Sequence, residues 1–76
     1  MPHIIVKLGA GRSEQEKFEL AEALANAAIA TLAIDPTTIS VGIDDVQPEN
    51  WVADIYKPEI LGKSDRIYRD PGYDPL

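Results

Sequence analysis

Residues 3–16, HIIVKLGAGRSEQE, contain the change from a strand to a helix that decides the fold of this chain. His3–Leu8 predicts a β-strand, because one of its faces consists of the alternating residues Ile4, Val6 and Leu8. Gly9–Gly11 then interrupts the run. Ser13 is followed three residues later by Glu16, a capping-box pattern, so we expect a helix to begin at Ser13.

The predicted helix extends to about Leu32 and has a wide apolar face. Its main stripe consists of Phe18, Ala21, Ala25, Ala28, Ile29 and Leu32, and Leu20, Leu24 and Ala27 widen it. The apolar arc is roughly 200°, about twice the stripe of a helix that packs on one surface only. We therefore expect this helix to pack against two surfaces.

A second strand follows the helix. Asp35 and Pro36 end the helical segment, and the alternation in residues 39–44 predicts a strand. Strand, helix and strand make a βαβ unit of the α+β class, with a parallel two-stranded sheet and a right-handed crossover. Because such a small sheet has two open edges and is marginally stable, we expect oligomerisation to complete it.

The last third of the chain is predicted to contain only short elements. Trp51–Tyr56 predicts a helical turn that Pro58 interrupts, and Glu59–Arg69 predicts a last short helix. Asp70–Leu76 is predicted to be an ordered tail on another surface, within a C-terminal extension of residues 65–76.

Composition limits the possible functions. The 76 residues make one small domain, residues 1–76, without cysteine for disulfides, so self-association is the expected source of extra stability. The net charge of −6 and the lack of a Lys/Arg run argue against nucleic acid as a partner. No signal peptide and no apolar run of about 18 residues is present, so we expect no membrane association and a cytoplasmic location.

Pro2 is the first candidate functional residue, because loss of Met1 would leave a proline amine at the chain terminus. A free α-amino group has a pKa of about 7.7–8.0, and burial and a nearby cation would lower the higher pKa of a proline amine towards neutrality. Few other groups can act as a base there, since cysteine is absent and the single histidine, His3, is expected to be structural or on the surface. Alternatively, Pro2 only starts the strand.

Several segments resemble the tautomerase superfamily typified by 4-oxalocrotonate tautomerase: Met1–Lys7, Gly11–Lys17, Ser40–Ile43 and Pro48–Trp51. Tyr56–Pro58 and Pro71–Tyr73 are similar to a longer branch that includes phenylpyruvate tautomerase-like proteins. The resemblance implies a tautomerase/MIF-like fold, a homodimer or a hexamer with the dimer favoured by the extended tail, and no cofactor or metal.

The resemblance also implies roles for individual residues. Pro2 matches the catalytic base, Arg12 the arginine that binds a substrate carboxylate, and Trp51 the aromatic wall of the pocket, although Trp51 is equally expected as core packing. Ser40 stands where 4-oxalocrotonate tautomerase has a second arginine. Ser40 either binds a substrate oxygen or faces a strand neighbour, and the candidates to replace the arginine are Lys7, Lys57 and Arg66.

We therefore expect an enol–keto tautomerase that acts on a small anionic 2-hydroxyalkenoate or arylenolpyruvate, the enol of a 2-oxo acid. A six-residue strand of about 20 Å separates Pro2 from Arg12, so antiparallel pairing of two first strands is expected to build the site at a subunit interface. The alternatives are a catalytically silent assembly protein, or a dehalogenase or decarboxylase that uses protonated Pro2.

Overall fold

The two strands of the chain pair in parallel, and one long helix connects them. The computed structural model describes residues 1–76, with β1 at His3–Gly9, α1 at Glu14–Leu32 and β2 at Ser40–Val46. All seven residues of β1 have a partner in β2. The predicted βαβ unit and its parallel sheet are confirmed, and β2 extends two residues beyond the predicted alternation.

The capping box predicted at the start of α1 is present. Ser13 Oγ accepts a hydrogen bond from the Glu16 backbone N–H at 3.1 Å, and Glu16 Oε1 accepts one from the Ser13 N–H at 3.1 Å. At the other end Ala33 adopts a left-handed conformation, φ 53°, from which its N–H donates to the Ile29 carbonyl at 3.0 Å. Both ends of α1 are thus fixed by local hydrogen bonds.

The helix uses only part of its apolar arc within one chain. Its half-buried apolar residues are Leu20, Ala21, Leu24, Ala25, Ala28 and Ile29. Phe18 and Leu32 belong to the predicted stripe but are 72% and 58% exposed. On the sheet Ile4, Val6 and Leu8 are half-buried, whereas Ile5 on the opposite face is 46% exposed. Apolar surface therefore remains uncovered on both the helix and the sheet.

A single chain has almost no core. Ile55 and Tyr56 are the two residues classed as buried, and the accessible surface is 5798 Å². A monomeric protein of this mass typically exposes about 4,600 Å², so this chain exposes about 1,200 Å² more. That excess supports the expectation of self-association, which stays a prediction. None of the helices combines the length and the apolar character of a membrane-spanning segment.

The C-terminal helices differ from the predicted ones. Val52–Leu61 forms one π-helix that continues through Pro58, and the Gly62 N–H donates to the Lys57 carbonyl at 2.8 Å. The predicted interruption at Pro58 and the predicted helix Glu59–Arg69 are therefore wrong. In an α-helix the proline ring clashes with the carbonyl four residues earlier, and the wider i→i+5 turn moves that carbonyl away.

Beyond the π-helix the chain forms only a 3₁₀ turn at Ser64–Arg66 before the tail. The turn at Gly62, which ends the π-helix, is tight, because a Cβ at this position would lie 2.6 Å from the Pro58 carbonyl oxygen. Two other 3₁₀ turns, at Pro36–Thr38 and Pro48–Asn50, lie before and after β2.

Candidate active site

Pro2 and Ser40 lie together at the start of the sheet. Pro2 directly precedes β1, and Ser40, the first residue of β2, donates its backbone N–H to the Pro2 carbonyl at 3.3 Å. Pro2 is half-buried, and Met1 before it is fully exposed. None of the five cavities of the single chain is lined by Pro2.

A short hydrogen bond joins two side chains at this end of the sheet. His3 Nδ1 and Ser40 Oγ are 2.6 Å apart, and the two residues are register partners. Sequence reasoning assigned His3 a structural or surface role and did not connect it with Ser40. The only signal that identifies the pair is the strand register, which the sequence pattern does not contain.

Arg12 lies at the opposite end of β1, one residue before the N-cap of α1. It lines a cavity of about 270 Å³ together with Leu8, Glu16 and Leu20. Its side chain is 63% exposed, and its Nη1 lies 3.4 Å from Glu16 Oε2. The backbone N–H groups at the helix N-terminus add positive potential beside it. The positive potential at this end of β1 therefore favours the binding of an anion.

The Glu16 carboxylate competes with an anionic ligand for the Arg12 guanidinium. Its pKa is lowered, first by the hydrogen bond from the Ser13 backbone N–H and further by Arg12, so it stays ionised well below neutral pH. Because the contact between Arg12 and Glu16 is long and exposed, it is a weak surface ion pair. A second carboxylate with two parallel hydrogen bonds to the Arg12 guanidinium would have the better geometry.

Trp51 lines a larger cavity near the same end of β1. This cavity has a volume of about 480 Å³ and is lined by Gly9, Pro48, Trp51, Val52, Tyr73 and Pro75. The indole Nε1 of Trp51 is buried and has no hydrogen-bond partner within the chain. Buried indole N–H groups normally find an acceptor. Trp51 thus has one unused donor at the edge of a cavity that the C-terminal tail helps to enclose.

The three cations considered as replacements for the second arginine differ in whether they form an ion pair. Lys7 Nζ lies 3.0 Å from Asp44 Oδ2, and the hydrogen bond that it donates to that carboxylate raises the pKa of Lys7. Lys7 is therefore already engaged by Asp44. Lys57 and Arg66 form no ion pair within the chain.

The adjacent acidic residues at the end of β2 do not share a site. Asp44 pairs with Lys7, whereas Asp45 pairs with Lys17 of α1 at 2.6 Å, as expected for strand neighbours that point to opposite faces. The hydrogen bond that Lys17 donates to Asp45 raises the pKa of Lys17. No group of three or more His, Cys, Asp or Glu side chains is placed to hold a metal ion.

The four predicted site residues therefore form two groups within one chain. Pro2 and Ser40 are at the start of β1, and Arg12 and Trp51 are near its end, where Trp51 shares a cavity with Gly9. The seven residues of β1 span about 23 Å between the two groups. No cavity or hydrogen bond of the single chain contains members of both groups.

Known proteins are similar to this chain in sequence. The family model described as tautomerase enzyme matches residues 2–56. A probable tautomerase from Xylella fastidiosa is 41% identical over 76 residues, which cover all of this chain and 93% of the relative. Tautomerase PptA from Cronobacter sakazakii is 33% identical over 75 residues, or 97% of this chain and 99% of the relative.

A solved structure is similar in fold as well as in sequence. The crystal structure of TomN is described as that of a 4-oxalocrotonate tautomerase homologue in the tomaymycin biosynthetic pathway. It superposes with a TM-score of 0.64 at 42% identity and covers 66% of this chain and 77% of its own. These matches confirm the resemblance noted in the sequence.

Proposed function

The chain belongs to the tautomerase family, and on that premise we propose that it converts the enol of a small 2-oxo acid into the keto form, with the Pro2 amine as general base. The observation that carries the proposal is the position of Pro2. It is the first residue that the family model matches, it is half-buried, and the fully exposed Met1 before it is accessible to an aminopeptidase.

The proposed reaction needs one proton carrier and no redox step. The unprotonated Pro2 nitrogen takes the proton from the 2-hydroxyl group of the enol, and the oxygen then carries the developing negative charge. The same nitrogen returns a proton to C3 as the carbon–carbon double bond gives way to the C2 carbonyl. A base with a pKa near the working pH serves best, because it must both accept and release the proton.

Arg12 supplies the binding of the substrate carboxylate. Two parallel hydrogen bonds from its guanidinium fix the orientation of the acid, and the helix N-terminus adds to the positive potential. The cation also offsets the net charge of −6, which otherwise repels an anionic substrate. Trp51 provides an aromatic surface for the remaining part of the substrate.

Assembly is required for this mechanism, because one chain separates Pro2 from Arg12 by the length of β1. The sheet order is β1-β2, so β1 has one open edge. If two copies join these edges about a two-fold axis, the start of each β1 lies beside the end of the other, and two equivalent sites form. The excess exposed surface of about 1,200 Å² exceeds the roughly 800 Å² that one partner buries in a standard interface. This supports a homodimer, or a hexamer built from such dimers.

The test replaces the proposed base. The wild-type protein is first weighed intact by mass spectrometry to establish that Met1 has been removed, and turnover of phenylenolpyruvate is then measured for Pro2→Ala. We expect a loss of more than tenfold, with an unchanged elution volume in size-exclusion chromatography. Pro71→Ala is the matched control, since Pro71 lies in the tail and lines none of the cavities that contain Arg12 or Trp51.

The other outcomes are equally informative. An unchanged rate for Pro2→Ala, or a protein that retains Met1 and still turns over the substrate, would contradict the role of Pro2. An inactive wild type that still assembles favours the silent assembly protein. A Pro2 amine that stays protonated at neutral pH, measured by NMR, favours a dehalogenase or decarboxylase.

A further inference from the structure

The His3–Ser40 pair is the polar feature next to Pro2 to which the proposed mechanism gives no role. Its two side-chain atoms are 2.6 Å apart, and both residues are exposed. The pair is tied to the candidate base twice, because His3 is bonded to Pro2 in the chain and the Ser40 backbone N–H donates to the Pro2 carbonyl at 3.3 Å. A substrate atom that reacts with the Pro2 nitrogen is therefore close to this pair.

The hydrogen bond leaves one donor free whichever way it runs. If the Ser40 hydroxyl donates to His3 Nδ1, a neutral imidazole carries its proton on Nε2, and that N–H remains available. If Nδ1 carries the proton and donates to Ser40 Oγ, the hydroxyl proton of Ser40 remains available. In both cases the first bond polarises the remaining donor, so the two side chains act as one unit.

The face of β1 that carries His3 continues as an apolar surface. The next residue of β1 on the same face, Ile5, is apolar and half exposed, and it packs over Gly42, where an added Cβ would lie 3.0 Å from Ile5 Cδ1. Lys7, one step further on this face, is held by Asp44. This face of the sheet therefore offers a hydrogen bond next to an apolar surface.

We propose that the His3–Ser40 pair donates a hydrogen bond to the oxygen on C2 of the substrate. This inference rests on the proposed function, because it needs Pro2 as the base. The C2 oxygen loses its proton to Pro2 and carries the charge that develops, so a donor aimed at it is stronger in the transition state than in the ground state.

The experiment is a double-mutant cycle on the assembled protein. Ser40→Ala, His3→Ala and the double variant are compared with wild type for turnover of phenylenolpyruvate. Loss of one such donor typically lowers kcat by about 10²-fold or more, and we expect the fall in kcat with little change in KM. Because the pair is one unit, the double variant is expected to be no slower than the slower single variant.

Two further variants separate a chemical role from a structural one. Ser64→Ala removes an exposed hydroxyl far along the chain and is expected to leave kcat unchanged. His3→Gln keeps a hydrogen-bonding side chain and is expected to recover part of the activity lost in His3→Ala. Size-exclusion chromatography of every variant establishes that assembly is intact.

Single-variant rates within twofold of wild type, or losses that multiply in the double variant, would each overturn the inference. If the inference fails in one of these ways and Pro2→Ala is inactive, the proposed function still stands. An inactive wild type contradicts both the inference and the proposed function.

Discussion

Mixing two inactive variants tests whether the site is shared between chains. Pro2→Ala removes the proposed base, and Arg12→Ala removes the proposed carboxylate ligand from the other end of β1. Each variant alone is expected to be inactive, because every site in its oligomer lacks one of the two groups. In a mixed oligomer some sites take Pro2 from one variant and Arg12 from the other, and these sites are intact.

The size of the recovery follows from counting sites. After complete exchange of equal amounts, half of the chains carry an intact Pro2, and half of their partners carry an intact Arg12. About one quarter of all sites are then complete, in a dimer as in a hexamer of dimers. Turnover of phenylenolpyruvate by the mixture is therefore expected to reach about one quarter of the wild-type rate.

The assay needs proof that subunits have exchanged. The two variants are mixed in urea and refolded together, and native mass spectrometry of one tagged and one untagged variant quantifies the mixed oligomers. Wild type treated in the same way supplies the reference rate. If mixed oligomers form and the mixture stays as inactive as its components, Pro2 and Arg12 do not act in one site across the interface, and the reasoning from the length of β1 is refuted.

Two further predictions concern stability. Gly62→Ala places a Cβ 2.6 Å from the Pro58 carbonyl oxygen and is expected to lower the free energy of unfolding by about 1–3 kcal/mol in urea titration, whereas Gly72→Ala, with no atom within 4 Å, is expected to change it by less than about 0.5 kcal/mol; equal effects would show that the turn at Gly62 is not tight. Hydrogen bonds from the backbone N–H groups of Ser13 and Thr37 lower the pKa of Glu16 and of Asp35 below their ordinary values of 4.5 and 3.8. A group whose pKa is lowered in the folded protein adds stability at pH values above its ordinary pKa, and this stability is lost as the pH falls through the pKa of the folded state. The urea midpoint is therefore expected to fall below pH 4.5, and to fall less steeply in Glu16→Gln. A pH profile that this variant leaves unchanged would contradict the assignment.

Local sequence was sufficient for the elements that depend on near neighbours. The alternation in β1 and the Ser13–Glu16 capping box predicted the strand and the start of α1, because side-chain alternation and helix capping involve residues at most a few positions apart. The same reasoning failed at Pro58. There the helix continues in a wider turn that the rule for proline in α-helices does not describe.

The sequence by itself therefore determined the βαβ unit, the exposed apolar surface that calls for a partner, and the separation of Pro2 from Arg12 by the length of one strand. Only the tertiary structure decided that His3 faces Ser40, that Lys7 is held by Asp44, and that the Trp51 indole has no acceptor. The physical reason is distance along the chain. These contacts depend on the register of two strands some 37 residues apart and on the path of the tail, which no short-range pattern specifies.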